Sequence, residues 1–237
     1  MIELLQEYGL AYLYNDGTGL SGLAMTLWLF LASMVLGFAL SLPLALARTS
    51  RHAWLRLPVQ LYTFVFRGTP LYIQLLICYT GLYSLQVVRD HMLLNEFFRN
   101  GMNCTLLAFT LNTCAYTTEI FAGAIKATPY GEIEAARAYG MSSFTLYRRV
   151  ILPSALRRAL PYYSNEVILM LHATTVAFTA TVPDILKIAR DVNSATYRSF
   201  EAFGIAALLY LVISFALVWL FRRAEHRWLA YLRPQGK

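Results

Sequence analysis

Residues 22–47 form a run of 26 residues without a single charged side chain. As an α-helix rising about 1.5 Å per residue, the run reaches roughly 39 Å, more than the ~30 Å hydrocarbon core of a bilayer. It is too long for a strand or an ordinary core helix, so the chain is committed to a membrane. Four further mostly apolar stretches follow at about 60–87, 103–125, 160–181 and 202–221. The composition agrees, at 58% hydrophobic and 14% charged residues with a mean hydropathy of +0.50. The expectation is an all-α membrane protein, one domain over 1–237, with five transmembrane helices.

Five crossings place the two termini on opposite sides, and lysine and arginine set which is which. Fourteen basic residues fall in one alternating set of segments: Arg48, Arg51 and Arg56, then six between Lys126 and Arg158, then five from Arg222 to Lys237. The other set holds only Arg89, Arg99, Lys187, Arg190 and Arg198. The N-terminus is therefore expected in the periplasm and the C-terminus in the cytoplasm. Met1–Tyr14 lacks a basic stretch and carries Glu3 and Glu7, so the first span is expected to serve as its own insertion signal.

Several function classes fall away. A net charge of +7 could suggest nucleic acid, but the basic residues flank spans and do not gather in one patch. Cys78, Cys104 and Cys114 have neither metal nor redox spacing and read as small packing residues. There is no glycine-rich phosphate loop, no metal-ligand cluster and no nucleophile with a base, so the chain is not expected to hydrolyse ATP or to bind a cofactor or metal of its own. Nor is there an internal repeat of the kind that secondary transporters use, so a second, similar subunit is expected to complete a pathway.

Between the third and fourth runs, residues 129–153 are too polar to span. Glu132, Glu134, Arg137, Arg148 and Arg149 alternate with an apolar stripe of Ile133, Ala136, Tyr139 and Gly140. The pattern predicts a short amphipathic helix, a turn at 140–143 and a second short helix, with Pro153 restarting the chain toward the fourth span. By pattern alone, such a segment either docks a partner or lies on lipid with its arginines at the headgroups.

Three strings carry a resemblance. Glu134-Ala135-Ala136, Gly140 and Val150-Ile151-Leu152-Pro153 are similar to the E-A-A-x-x-x-G-x(9)-I-x-L-P signature of permease subunits of bacterial ABC importers, with valine for isoleucine. Arg67-Gly68-Thr69-Pro70-Leu71 through Leu75 resembles the R-G-T-P-L-x-x-Q-L string of polar amino acid permeases. Ala115–Gly123 resembles their A-Y-x-x-E-I-x-R-G-G region, with Ala122 in place of arginine. The likeness extends from the first span to the last helix and is greatest to the M-type subunits of importers for histidine, lysine, arginine and ornithine. It implies that 129–153 is a coupling helix seated in a groove of an ATPase, with Glu134, Ala135, Ala136 and Gly140 as the contact. It also implies a homologous Q-type partner permease, an ATPase dimer holding ATP and Mg, a periplasmic amino-acid-binding protein, and a place in the bacterial inner membrane.

Of the aspartates, glutamates, lysines and arginines, only Arg67, Glu119 and Glu166 lie inside the runs, where each costs roughly 2.5–3.5 kcal/mol to insert and so marks a candidate site. Arg67, with Gly68, Thr69 and Pro70, reads as a structural helix break, with substrate contact as the alternative. Glu119 shares a helix face with Asn112, Tyr116 and Gly123 and reads as packing or gating within the pathway. Relatives for neutral or acidic amino acids usually carry an uncharged residue near Glu166. The expectation is that Glu166 selects cationic side chains, the alternative being a pair with Arg67, His172 or the sister subunit. Asn165 and His172, seven apart, complete the candidate pathway, although His172 also reads as a hydrogen-bonded interior histidine. Trp28, Trp54, Trp219 and Trp228 read as interface anchors. The segments 88–102 and 182–201 are expected as outer loops, with Asp184, Lys187, Arg190 and Asp191 steering a binding protein or merely solvated. Two other classes stay open on residues alone: half of an ion-coupled secondary transporter, and a membrane assembly subunit that conducts nothing.

Overall fold

The computed structural model describes residues 2–17 and 19–229. Arg233 and Lys237, counted above toward a cytoplasmic C-terminus, lie outside the described residues. All regular structure is helical: α1 (Ile2–Leu13), α2 (Gly22–Arg48), α3 (Ala53–Gly68), α4 (Leu71–Leu76), α5 (Leu82–Ser84), α6 (Gln86–Asp90), α7 (Met92–Arg99), α8 (Gly101–Lys126), α9 (Tyr130–Ala138), α10 (Ser143–Leu146), α11 (Leu152–Ala173), α12 (Ile185–Thr196) and α13 (Ser199–Trp228). Wide π turns at Ile77–Gly81 and Tyr147–Ile151 join α4 to α5 and α10 to α11, and a tight 3-10 segment, Thr174–Ala180, follows α11.

Helix α8 is the axis of the molecule. Fifteen of its residues are buried, many of them Thr, Ala and Cys, and such small side chains let helix backbones approach closely. Its closest neighbour is α2, where a Cβ on Gly37 would run into Thr113 Cγ2. Because other helices surround it, α8 can carry threonines and Asn112 that lipid would penalise. The outer helices show the reverse pattern: α13 has the most apolar window of any helix and only 11% of that window is buried. By length and composition alone α2 and α13 qualify as spans, and a third if the bent pair Ala53–Gly68 and Leu71–Ser84 is one. The fold is thus all-α and multi-pass.

Several boundaries differ from the sequence expectation. The run 60–87 is no single rod. Its helix starts at Ala53, stops at Gly68 and resumes at Leu71 with a bend of 104°, because Pro70 has no N–H to continue the ladder and pushes Thr69 into extended geometry. The predicted second short helix of 129–153 is not separate either. Residues 143–173 run on as one helical stretch, and the π turn at Tyr147–Ile151 relieves the ladder just before Pro153. Segment 88–102 is no loop: α6 and α7 fill it, and α7 leaves Met92 and Leu93 exposed. In segment 182–201, α12 buries Ile185, Ile188, Ala189 and Val192 against Leu4 and Tyr12 of α1 and Ala202, Ile205 and Ala206 of α13. Asp184, expected in a solvated or docking loop, is fully buried. It caps α12 by accepting the Lys187 N–H at 2.8 Å, which satisfies one of the free donors of the first turn. Lys187 and Asp191 pair with each other.

Candidate translocation pathway and coupling surface

The bend at Thr69-Pro70 leaves the last carbonyls of α3 without helical partners, and three side chains take them up. Gln74 Nε2 donates to Phe66 O at 2.8 Å, Thr69 O at 3.0 Å and Thr69 Oγ1 at 2.8 Å. Asn112 Nδ2 of α8 donates to Phe66 O at 3.3 Å and to Gln74 Oε1 at 3.1 Å. Tyr116 OH donates to Arg67 O at 3.3 Å. Gln74 is buried, where an unmet backbone carbonyl would be costly. Asn112 and Tyr116, singled out as pathway residues, are therefore also caps of the broken helix.

Beside this junction lies a cavity of about 240 Å³ lined by Thr69, Pro70, Asn112, Tyr116, Glu166 and Met170, among others. Glu166, 6% exposed, is its one carboxylate. Thr113 Oγ1 donates to it at 3.4 Å, and no ion pair of Glu166 occurs among the described residues. Neither Arg67 nor His172 pairs with it. A second cavity of about 690 Å³ lies toward the α9 end, lined by Arg67, Tyr116, Glu119, Gly123, Arg158 and Tyr162, among others. The Arg67 guanidinium stands over the Tyr116 ring, 5.4 Å from its centroid.

Glu119 is engaged within the chain. Its Oε1 accepts from Arg48 Nε at 2.7 Å and from Thr63 Oγ1 at 2.7 Å, so one carboxylate ties α2 and α3 to α8. Asn165 and His172 do not join the cavities: both are exposed, and His172 Nε2 sits 3.1 Å from Ser214 Oγ of α13. The seven-residue spacing puts them on one face of α11, but that face is turned away from the cavity that Glu166 lines.

At the opposite end, α9 presents Glu134, Ala135 and Gly140 outward, while Ala136 is 4% exposed. Ala136 packs with Phe121, Leu146, Ile151 and Ala155. It holds α9 onto its own chain and is not a surface contact, a correction to the sequence expectation. Gly140 ends the helix at φ +73°, a conformation that L side chains adopt only under strain. The helix is braced by a polar cluster that the sequence did not reveal. Ser154 Oγ donates to Glu132 Oε2 at 2.8 Å, and Arg158 donates to Ser154 Oγ at 2.8 Å and Thr128 Oγ1 at 2.9 Å. Tyr139 and Phe144 stand out from this end at 87% and 73% exposure.

Residues 37–229 match the family model described as "Binding-protein-dependent transport system inner membrane component". The chain belongs to that family. The permease is 64% identical over 232 residues to the histidine/lysine/arginine/ornithine transport system permease protein HisM of Salmonella typhimurium, covering 98% of this chain and 99% of that one. It is 62% identical over 236 residues to HisM of Escherichia coli strain K12, covering 100% and 99%. Its fold matches a crystal structure of an amino acid ABC transporter with histidines at a TM-score of 0.75 and 32% identity, covering 86% of the permease and 90% of that chain. An inward-facing methionine transporter, MetNI, matches at a TM-score of 0.71 and 19% identity; that likeness concerns the fold alone. The permease is a transport subunit and not itself an ATP-hydrolysing enzyme; its membership of a binding-protein-dependent transport family sets aside the secondary-transporter and assembly-subunit alternatives. No group of His, Cys, Asp and Glu able to hold a metal occurs among the described residues.

Sequence reasoning missed Gln74, Arg48, Thr63 and the Ser154–Arg158 cluster. Gln74 stood in a quoted string, and its amide four residues beyond Pro70 was the available signal. Arg48 and Thr63 gave none, since their meeting with Glu119 depends on how three helices cross.

Proposed function

We propose that the permease crosses the bacterial inner membrane five times, N-terminus in the periplasm and C-terminus in the cytoplasm, and imports basic amino acids. The spans are α2, the bent α3–α5 unit, α8, α11 with its 3-10 extension, and α13. A Q-type homologous permease completes the pathway, a binding protein delivers histidine, arginine, lysine or ornithine, and an ATPase dimer with its ATP and Mg drives alternating access. The excess of lysine and arginine on one set of segments supports the orientation, and the HisM relatives support the substrate class.

One observation carries the substrate assignment: Glu166 is a buried carboxylate that faces a cavity and makes no ion pair among the described residues. A guanidinium, ammonium or imidazolium group entering there regains in a charge-assisted hydrogen bond what it loses in hydration. Asn112 and the polar rim of the helix break orient the remainder of the molecule. At the cytoplasmic end, Glu134, Ala135 and Gly140 meet the ATPase, and the exposed Tyr139 and Phe144 extend that contact. The Glu132–Ser154–Arg158 cluster transmits ATPase closure to α11, on which Glu166 sits, because a lever must be stiff to couple two sites.

The test is ATP-driven uptake of labelled arginine, histidine and glutamine by vesicles holding the assembled complex, wild type against Glu166→Gln at equal assembly. The expected result is loss of arginine and histidine uptake. Unchanged uptake would move selectivity to the partner permease or the binding protein.

A further inference from the structure

Helix α1 is fastened at the end of the bundle where α2 and α13 begin. Late in α1, Tyr12 OH donates to Ala202 O in the first turn of α13 at 2.9 Å. Ser21 Oγ, just before α2, donates to Ala11 O at 2.9 Å, and Gly22 presses so closely on the Tyr12 carbonyl that a Cβ there would clash. At the other end of α1, Arg198 Nη1 donates to Glu3 Oε2 at 2.9 Å. From Glu3 to Tyr12 is roughly 13–14 Å of helix, whereas from Arg198 to Ala202 is roughly 6 Å. The helix therefore lies more across α13 than along it.

Three faces run along α1. Leu4, Tyr8, Ala11 and Tyr12 pack with α12 and α13. Glu3 and Glu7, one turn apart, make a polar edge. Between the two, Ile2, Leu5 and Leu13 share one side at helical spacing and are exposed at 75%, 45% and 47%. The Glu3–Arg198 pair sets the start of α1 beside the turn that leads into α13, where Tyr197 and Phe200 are also almost fully exposed. Phe200 lies on the same side of α13 as Leu211 and Phe215, both exposed, so the apolar surface continues into the open side of a spanning helix.

We propose that α1 lies in the outer headgroup boundary of the bilayer, with Ile2, Leu5 and Leu13 in lipid beside Phe200 and with Glu3 and Glu7 toward water. The occupant follows from that continuity: the face adjoins the side of α13 that meets lipid, at the level where spans begin and where aromatic side chains collect. An amphipathic helix lying in this plane buries its apolar face about 5–10 Å deep. Because α1 has two glutamates and no lysine or arginine, its seating depends on apolar area and not on anionic lipid. Through its ties to α2 and α13 it holds the outer ends of both at a fixed depth. The proposal rests on the reading of α2 and α13 as spans.

The test uses the assembled permease–ATPase complex in phosphatidylcholine vesicles. Cys78 is replaced by alanine, and one spin-labelled cysteine at a time is placed at Leu5, Leu13, Phe200, Glu7 or Val212. Complex without an introduced cysteine is the blank, since Cys104 and Cys114 are buried. Collision with oxygen, which gathers in lipid, is read against collision with a neutral nickel chelate, which stays in water. The oxygen-to-nickel ratio at Leu5, Leu13 and Phe200 is expected to exceed that at Glu7 at least about tenfold, equivalent to about 1.4 kcal/mol. If Phe200→Cys fails to co-purify with the ATPase, Ile2→Cys is read in its place. Ratios as low as at Glu7 would put the face in water and overturn the proposal; exclusion of both probes would mark a protein partner and overturn it as well. Val212, 67% exposed near the middle of α13, tests the span reading separately. Oxygen dominance there, with none at Leu5 and Leu13, refutes the seating of α1 alone, whereas nickel dominance at Val212 refutes the span itself.

Discussion

Replacing Glu119 by glutamine should weaken the helix bundle more than it alters substrate choice. The carboxylate lies 2.7 Å from Arg48 Nε and 2.7 Å from Thr63 Oγ1, with side-chain exposures of 21% for Glu119 and 16% for Arg48. Leaving one partner of a fully buried ion pair behind costs about 3–5 kcal/mol. Arg48, however, is the last residue of α2, where the helix dipole contributes about 0.3–1 kcal/mol in favour of a cation and its long stem can carry the charge toward water. A loss of about 2–3 kcal/mol is therefore expected, in line with the roughly 1.5–3 kcal/mol of a hydrogen bond to a charged group. The assay is thermal unfolding of the purified complex for wild type, Glu119→Gln, Arg48→Gln and the double variant. A coupling energy above about 1 kcal/mol is expected for residues sharing one network. The ratio of arginine to glutamine uptake should be unchanged. A Glu119→Gln protein of wild-type stability with coupling below about 0.5 kcal/mol, or one whose substrate ratio shifts, would refute the structural assignment.

Gln74→Leu keeps the volume but leaves Phe66 O and Thr69 O short of donors and Asn112 without its amide partner; each buried unmet group costs about 1–3 kcal/mol, so thermal stability should fall and Gln74→Glu should not rescue it. Asp184 gives a pH dependence. Burial pushes its carboxyl up to about 7 from an ordinary 3.8, against the opposing hydrogen bond from the Lys187 N–H. The docked α12 thus keeps a proton that the undocked segment releases between those values. Stability from this group is full below pH ~4 and declines as pH rises to ~7, by at most about 1.4 kcal/mol per unit. Hydrogen-exchange protection of 185–196, corrected for intrinsic rate, should fall between pH 5 and 7 and then level off; Asp184→Asn should flatten it, and a profile rising with pH would contradict the burial argument.

Much of the architecture was legible because its causes are local. The uncharged run 22–47 became α2, and Pro70 marked the bend that splits 60–87. Glycine at 140 stopped α9 where a positive φ was needed. The outer segments were less legible: α12 looks like a charged loop in sequence because Asp184, Lys187, Arg190 and Asp191 punctuate it, yet its apolar face docks on α13, which follows it directly, and on α1 at the far end of the chain. Asn165 and His172 shared a helical face as their spacing required, but which face looks inward depends on how α11 rotates against α8 and α13.

The three glutamate-bearing places show where the division falls. Hydropathy alone picked out Glu119 and Glu166 as costly intramembrane carboxylates and Glu134 as part of a polar insertion, because the expense of burying charge is a property of the residue and its local run. Only the tertiary structure separated their roles. The crossing of α2, α3 and α8 brings Arg48 and Thr63 onto Glu119 and neutralises it, while the bend at Thr69-Pro70 opens a cavity against Glu166, which makes no ion pair among the described residues. The sequence determined that the chain must be helical and membrane-embedded with one polar insertion, since those follow from the length and polarity of contiguous segments. Whether a buried charge is satisfied or waiting for a ligand was decided by helix packing, because its partners come from residues 53 to 71 positions away, and no local pattern records which of them will meet.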